Sequence, residues 1–206
     1  MPGDQSKSNS LPATNEDTIG PYFPPNFCDD HRQDLSRVHP GIINTPIGQR
    51  IVLKGEVLDR HGQLANGVVL EFWQANADGV YRNPNTVDDP DLDPWFDGYT
   101  RIHTLDGRFE LTTIKPGKWK HESIHRAPNI TLTIFSDGIA RIITQLFFSD
   151  EQDNSEDPLL QSVPSEQRDR LIANYDGKRA DGAQVYRITI IMAGQNETPF
   201  FDDLMS

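Results

Sequence analysis

The chain is poor in cysteine and has no long basic or apolar run, and each shortage excludes a class of protein. Its single cysteine, Cys28, cannot form an intramolecular disulfide, so nothing predicts an oxidising compartment and the expected location is the cytoplasm. The first fifteen residues lack the apolar stretch of a secretory signal, and no segment approaches the ~20 apolar residues of a membrane helix. We therefore expect neither export by that route nor a membrane-spanning segment.

Positive charge is also scarce. The 19 basic and 31 acidic side chains leave a net charge of -12 with histidine neutral. Such a surface repels nucleic-acid phosphates and anionic lipids. No run of Lys and Arg is long enough to form a basic patch that would bind them. We expect no nucleic-acid or membrane partner. With 35% apolar residues and 15 each of Gly and Pro, the composition is typical of a turn-rich globular domain and excludes collagen and coiled coil.

Three common catalytic signatures are missing as well. The chain has no Gly-rich phosphate loop, no Gly-x-Ser-x-Gly elbow and no His-Glu-x-x-His motif. Nucleotide binding, serine hydrolysis and zincin chemistry therefore lose their usual sequence support.

Two parts of the chain differ in composition. Residues 1–17 are rich in Ser, Asn, Pro and Asp and have almost nothing to bury, so they predict a flexible N-terminal tail. From Thr18 to Phe23 apolar and backbone-restricting residues cluster, which predicts an arm docked on a surface. We expect residues 18–206 to form one domain with this arm at its front.

Short apolar segments with a period of two predict strands. Gly, Pro, Asn and Asp separate the segments, and helices do not alternate with them. The pattern predicts an all-β fold, an antiparallel β-sandwich with one or two short helices. The six predicted strands contain Ile51 to Val57, Val68 to Phe72, Phe109 to Thr113, Ile130 to Ile134, Ile142 to Phe148 and Val185 to Met192.

One helix is predicted after Pro164, as a cap on the sandwich. Side chains recur there with spacing i, i+3, i+4, i+7, and Gly177 is suited to the C-terminal cap. The stretch from Pro84 to Pro94 is predicted to be an acidic loop. The residues with helical spacing are Arg168, Leu171, Ile172 and Tyr175.

Two groups of residues could ligate a metal by type alone. His121 and His125 are four apart, but the Pro, Gly and mixed charged residues before them show no helical period, so we interpret both as solvated loop histidines. Cys28 is followed by two aspartates and a histidine, without a second thiol at ligand spacing. We interpret it as a lone thiol in a loop.

Four stretches together resemble the intradiol ring-cleavage dioxygenases. Their joint order and spacing support the resemblance, which covers the chain from about Thr18 to Asp203. Within the family, the chain is most similar to the alpha chains of two-chain enzymes, which share the front arm, an Asp157-Pro-Leu-Leu160 stretch and the Phe-Phe-Asp ending. The four stretches are Thr18 to Tyr22, Leu70 to Gly79, Thr113 to Gly117 and Gly194 to Asp202.

The resemblance implies that catalytic members hold a ferric ion with two tyrosines and two histidines. Tyr81 stands at the first tyrosine position, but Trp119 stands at the second, and Asn129 and Thr131 replace the histidine pair. An indole donates only N–H, and amide and hydroxyl oxygens are weak neutral ligands, so this set cannot hold ferric iron. Two polar pocket residues of the catalytic chains are retained. The resulting remnant of a site, which we expect to be filled by ordinary packing, comprises Tyr81, Trp119, Arg126, Asn129, Thr131 and Gln145.

The resemblance therefore implies a subunit without catalytic residues or metal of its own. Fe(III) would lie in a homologous beta subunit, within a higher hetero-oligomer that cleaves a small aromatic substrate, 3,4-dihydroxybenzoate, with O2. Asp137 stands where the alpha chains carry an arginine that faces the partner's pocket; this reverses the charge, and Arg141 is a candidate to compensate. The residues of the front arm expected to wall that pocket are Thr18, Gly20, Pro21 and Tyr22.

Two other functions stay open at this point. The chain could be a freestanding scaffold or small-ligand-binding protein with a decayed dioxygenase site. A homomeric enzyme with unusual ligands is disfavoured by the donor chemistry.

Overall fold

The computed structural model describes residues 33–36, 44–121, 124–136 and 140–201. Among these residues, no helix has the length and apolarity that crossing a membrane requires. Two 3₁₀ segments, Gln152–Ser155 and Ser165–Leu171, flank the α-helix. The elements are β1 (Arg50–Leu58), β2 (Val68–Gln74), β3 (Tyr99–Thr104), β4 (Arg108–Ile114), β5 (Trp119–His121), β6 (Ile124–Arg126), β7 (Asn129–Ser136), β8 (Ala140–Phe148), α1 (Pro158–Ser162), β9 (Ile172–Lys178) and β10 (Gln184–Ile191).

Within the described residues, eight strands form one sheet that folds over on itself as a sandwich. The strand order is β3-β2-β7-β8-β9-β10-β1-β4. In a flat sheet, six strand spacings would separate β2 from β4 by about 29 Å. The rings of Phe72 on β2 and Phe109 on β4 are nevertheless 5.3 Å apart. The two halves of the sheet therefore face each other across one core, as the sequence predicted.

Alternation of side chains assigns each strand a core face. Ile130, Leu132 and Ile134 of β7 are fully buried in the core between the halves. Asn129 and Thr131 alternate with these residues along the strand, so they point to the opposite face of the same half. All six predicted strands are present, and this alternation decides which of their residues can form a surface site.

The predicted β-sandwich is confirmed, but its sheet is mixed where the sequence analysis expected antiparallel pairing. β1 pairs with β10 in parallel, and β8 pairs with β9 in parallel. Parallel neighbours need a long connection, and residues 149–171, which contain α1, supply one between β8 and β9. β1 and β10 come from opposite ends of the domain, so no hairpin dictates their relative direction.

The prediction of an α-helix after Pro164 was wrong. A 3₁₀ segment ends at Leu171, and strand β9 begins at Ile172. Leu171 and Ala173 are both fully buried, two residues apart, and Tyr175 pairs with Tyr186 of β10. A period of two therefore governs this segment, and pairing with β8 and β10 outweighs the local helical spacing. The α-helix of the described part lies earlier, after Asp157.

The two histidines interpreted as loop residues lie in strands. Short strands β5 and β6 form a separate antiparallel pair in which His121 is opposite Ile124. His125 is exposed, as expected, but the residue lies in β6. Ladder pairing between β5 and β6 was invisible in the sequence because three-residue strands carry almost no periodic signal.

Ion pairs hold residues 115–118, which precede β5, against residues 150–153. Lys115 Nζ lies 2.9 Å from Asp150 Oδ2 and 2.6 Å from Glu151 Oε1, and Lys118 Nζ lies 2.6 Å from Asp153 Oδ2. Although burial alone would lower the pKa of Lys115, its hydrogen bonds to Glu151 and Asp150 raise that pKa above its usual value. Lys115 is therefore a positively charged residue that ties the end of β4 to residues 150 and 151.

The Lys115 cluster predicts a measurable loss of stability. Replacing Lys115 by Met should lower the free energy of unfolding by about 2 kcal/mol, because two partly buried carboxylates lose their cation. The matched control is Lys54→Met, which removes a more exposed pair at 2.8 Å to Glu110 and should cost less than about 1 kcal/mol. Chemical denaturation at neutral pH measures both, and equal losses would contradict a special role for Lys115.

Candidate functional site

The site begins where two turns cross without room for side chains. A Cβ atom on Gly79 would lie 2.0 Å from Lys118 O, and one on Gly117 would lie 2.1 Å from Ala77 O. Gly117 N also donates a hydrogen bond to Asn76 O at 2.8 Å. Glycine is therefore required at both positions, since only it lets the two backbones touch. This crossing brings the residue after the first turn, Tyr81, beside the residue after the second, Trp119.

Asn76 fixes the first of these turns. Its side-chain Oδ1 accepts hydrogen bonds from Asp78 N (3.0 Å) and Val80 N (2.9 Å), and its Nδ2 donates to Asp91 O (2.7 Å). An asparagine side chain that mimics a backbone turn in this way sets the local path of the chain. Asn76 is buried. Its hydrogen bond to Asp91 O also ties the turn leading to Tyr81 to the acidic loop.

Three aromatic rings form a row across this surface. Trp73 and Tyr81 have ring centroids 4.6 Å apart, and Tyr81 and Trp119 are edge to face at 6.3 Å. Trp73 lies opposite Thr131 of β7 in the sheet, which places the row over the outer face of this half. Aromatic pairs in such geometries stabilise each other beyond their area burial.

Polar residues continue the site as a hydrogen-bonded chain. Arg126 Nε donates to Asp157 Oδ2 at 2.9 Å, and its Nη2 donates to Gln145 Oε1. Gln145 Nε2 in turn donates to Thr131 Oγ1 at 3.3 Å, across the β7–β8 ladder where these two residues are opposite each other. These hydrogen bonds link β6, β7, β8 and the N-terminus of α1.

Asp157 is the centre of that chain. Its carboxylate is almost fully buried and accepts hydrogen bonds from Arg126 Nε, Ala127 N (2.9 Å) and Leu160 N (3.0 Å), the last as the N-cap of α1. A buried carboxylate is tolerated when such donors and a countercharge surround it. The charge of Arg126 is therefore matched within the protein.

Asn129 is a buried side chain with only half of its amide satisfied. Its Nδ2 donates to Ala127 O at 2.7 Å, which fixes the orientation of the amide. Its Oδ1 has no hydrogen-bond partner among the described residues. The oxygen is neutral and enclosed by protein.

Tyr81 is held as a neutral phenol. Burial raises its pKa to about 12, with the positive charge of Arg126 lowering the pKa and the negative charge of Asp157 raising it. Burial therefore keeps Tyr81 an uncharged phenol at neutral pH.

The donor set does not fit a ferric ion. The four positions that the resemblance equates with the family's ligands hold a neutral phenol, an indole, an amide whose Nδ2 is engaged, and a hydroxyl that accepts from Gln145. Within the described ranges, no three His, Cys, Asp or Glu side chains are grouped so that they could hold a metal. Neutral oxygens and an N–H group do not compete with water for Fe(III).

Tyr81 contacts Trp119, and Arg126, Gln145 and Thr131 form one series of hydrogen bonds. Asn129 lies on the same face of β7 as Thr131. These are the six residues that the sequence analysis placed in the remnant site. Sequence reasoning missed two of its members, Trp73 and Asp157. Trp73 could have been found from strand alternation, which puts it on the face opposite Phe72, and Asp157 from its position before Pro158 at a helix start. The expected arm and pocket-wall residues Thr18, Gly20, Pro21, Tyr22 and Asp137, with Cys28, lie outside the described residues.

A surface cavity lies away from the candidate site. It has a volume of about 890 Å³, and charged side chains of the other half of the sheet line it, including Lys54, Arg108 and Glu110. These charges pair with one another: Lys54 binds Glu110, and Arg108 binds Glu56. The geometry is that of a solvated polar face.

Comparison with known proteins shows similarity to dioxygenases. A family model described as dioxygenase matches residues 18–194. The chain is 34% identical to the protocatechuate 3,4-dioxygenase alpha chain of Burkholderia cepacia, over 94% of this chain and 98% of that one. It is 36% identical to the beta chain from the same organism, over 75% of this chain and 68% of that one.

A solved structure shares the fold. The dioxygenase domain of a dioxygenase and carbohydrate-binding protein fusion from Streptomyces sp. SirexAA-E superposes with a TM-score of 0.58 at 24% identity. The match covers 85% of this chain and 94% of that chain. Its arrangement of strands supports the sandwich described above.

The crossing of the two turns predicts a position-specific cost. Gly79→Ala combines a positive φ of 83° with a clash, whereas Gly62→Ala has a similar φ of 74° and no heavy atom within 4 Å. Both should lose ~1 kcal/mol from backbone strain, but Gly79→Ala should lose about 2 kcal/mol more and alter tryptophan fluorescence, because Trp119 is displaced. Denaturation with fluorescence detection compares them, and equal costs would contradict the crossing.

The buried phenol predicts a loss of stability in alkali. The folded pKa of Tyr81 lies above the ordinary value of 10.0, so the folded chain holds this proton more tightly than the unfolded chain does. Its contribution to stability is complete below pH 10.0 and should be lost as the pH rises to about 12. Denaturation across that range should show a smaller loss for Tyr81→Phe than for the wild type, and identical pH profiles would contradict the burial of the phenol.

Proposed function

Because the chain belongs to the intradiol ring-cleavage dioxygenase family, we propose that it is the non-catalytic alpha-type subunit of a protocatechuate 3,4-dioxygenase. The assembled enzyme opens 3,4-dihydroxybenzoate between its two hydroxyl-bearing carbons. Both atoms of O2 enter the product, 3-carboxy-cis,cis-muconate. The reaction takes place in a homologous beta subunit that carries Fe(III), and this chain binds none.

The donor set at the family's ligand positions is the observation that carries this proposal. Tyr81 is a neutral phenol with a pKa of about 12, and Trp119 has no lone pair to offer a metal. The remaining charged groups, Arg126 and Asp157, neutralise each other at 2.9 Å. Such a site supports packing and subunit structure, and a Lewis acid has to come from another chain.

The extent of the two curated matches favours the alpha type. The match to the alpha chain spans 94% of this chain, whereas the match to the beta chain spans 75%. A fold shared by both chain types can host catalysis in one and a supporting role in the other, because function depends on the residues of the site.

In this proposal the front arm contributes to the partner's pocket. Thr18, Gly20, Pro21 and Tyr22 wall the space in which the aromatic substrate binds. Gly and Pro suit that role, since a rigid backbone with small side chains can approach a small ligand closely. Asp137 faces the same pocket and makes it less favourable to a carboxylate, so the partner or a neighbouring cation supplies the balancing charge.

Iron analysis tests the proposal directly. The chain purified alone and exposed to ferric salt should contain no stoichiometric iron and show no visible tyrosinate-to-iron absorption. Co-expression with a homologue that retains two tyrosines and two histidines should yield a coloured complex that consumes protocatechuate and O2. The control is the same homologue without this chain.

Two results would contradict the proposal. One is an iron-loaded, coloured homomer of this chain that turns over protocatechuate. The other is a stable, soluble chain with no affinity for any iron-bearing homologue, which would favour the scaffold or small-ligand-binding function.

A further inference from the structure

Residues 33–36 are fixed along the edge of β4. Asp34 forms a parallel bridge with Thr112, and Leu35 N donates a hydrogen bond to Thr112 O at 2.7 Å. The side chain of Leu35 is buried in the main core cluster. This segment is therefore the point at which the N-terminal part of the chain is anchored to the sandwich.

The parallel direction of the bridge determines the side from which the front arm joins the sandwich. β4 begins at Arg108, and residues 33–36 run in the same direction beside it. Residue 33 is therefore the member of the segment nearest the start of β4. From Thr112 back to the start of β4 is about 14 Å of strand. The sixteen residues from Asp34 back to Thr18 span up to ~55 Å when extended, so the arm is long enough to pass that end of β4.

The junction of β7 and β8 lies at the same end of the sandwich. Val68 of β2 pairs with Thr104, the last residue of β3, and Val69 pairs with Phe135, one residue before the end of β7. Because β3 and β7 both neighbour β2, these two ends lie about 10 Å apart, or two strand spacings. In the sequence Asp137 belongs to the β7–β8 junction, and β3 leads directly into β4.

The turn between β3 and β4, residues 105–107, presents an exposed leucine at this end. Leu105 is 75% exposed. Asp106 Oδ1 accepts hydrogen bonds from Thr104 Oγ1 and Arg108 N, each at 3.1 Å, and so holds the turn in one conformation. A single exposed leucine is ordinary on a soluble protein, but a preformed surface loses less conformational entropy on binding than a flexible one does. We refer to this end of the sandwich as the Leu105 end.

We propose that the Leu105 end is the surface that faces the homologous iron-bearing subunit. This inference rests on the proposed function, in which the front arm and Asp137 both wall the pocket of that subunit. Two elements can act on one pocket only when both reach it, and both are attached at this end although more than one hundred positions separate them in the sequence. A second copy of this chain offers the arm no iron-bearing pocket.

A charge at the tip of the β3–β4 turn tests this surface. Leu105→Arg should weaken binding of the co-expressed iron-bearing homologue by about tenfold or more, because an interface that covers the cation removes its hydration. The matched control is Val87→Arg. Val87 is 66% exposed in the loop that joins the other ends of β2 and β3. Its effect should stay below about threefold, as is usual outside an interface.

Photocrosslinking identifies what lies against this end without relying on a change in affinity. The amino acid p-benzoylphenylalanine in place of Leu105 should crosslink the chain to the homologue, whereas the same group in place of Val87 should not. The mass of the product distinguishes the homologue from a second copy of this chain. Both positions are exposed, so the melting temperature should not change, and a thermal scan of each variant checks that it is folded.

The outcomes separate this inference from the proposed function. If the wild-type chain binds the homologue but the crosslink forms only from position 87 and Leu105→Arg binds normally, the docking surface is wrong while the subunit assignment stands. If the wild-type chain binds no such homologue, the proposed function fails and this inference fails with it. A crosslink from position 105 to a second copy alone would also overturn the inference.

Discussion

The buried amide of Gln74 is the interaction on which the site depends. Gln74 ends β2, and its Nε2 donates to Ile114 O at 2.8 Å while its Oε1 accepts from Thr113 Oγ1 at 2.9 Å, both at the end of β4. These strands are not ladder neighbours, so the side chain closes the sandwich where no backbone pairing can. The two turns that cross at Gly79 and Gly117 leave the strands just beyond this link. Together with the hydrogen bond from Gly117 N to Asn76 O, it fixes the distance between Tyr81 and Trp119.

Electrostatics then decide what the closed site can do. Asp157 and Arg126 form a nearly buried pair, and such a pair is tolerated only when additional hydrogen bonds satisfy both partners. Ala127, Leu160 and Gln145 supply them. Most polar groups of the site therefore form hydrogen bonds with one another. Tyr81 is uncharged and adds packing contacts to the site. The acidic loop differs, because Asp88 and Asp91 are exposed there beside exposed Val87, while Asp93 is buried.

The fold was predictable where apolar residues alternate and unpredictable where small polar or tertiary contacts replace them. β1, β2, β4, β7, β8 and β10 carry Ile, Leu, Val or Phe on their core faces, so their period of two was visible. β3 was missed because Thr100 and Thr104, which are buried, stand where apolar residues would mark the core face. β9 was misread as a helix because Leu171, Ile172 and Tyr175 have helical spacing, and only pairing with its neighbours makes the segment a strand.

The sequence by itself determined which chemical groups the site contains: a phenol, an indole, an amide and a hydroxyl stand at the positions that the resemblance equates with metal ligands. That follows from residue identity, which is a local property of the chain. Only the tertiary structure decided that Asp157 neutralises Arg126, that Trp73 extends the aromatic row, and that Ile47 joins Trp95 through Asp93. Two of these contacts join groups far apart in sequence, since Arg126 and Asp157 are 31 positions apart and Ile47 and Asp93 are 46 apart. Their proximity depends on strand register and on the closure of the sandwich, which no local pattern encodes.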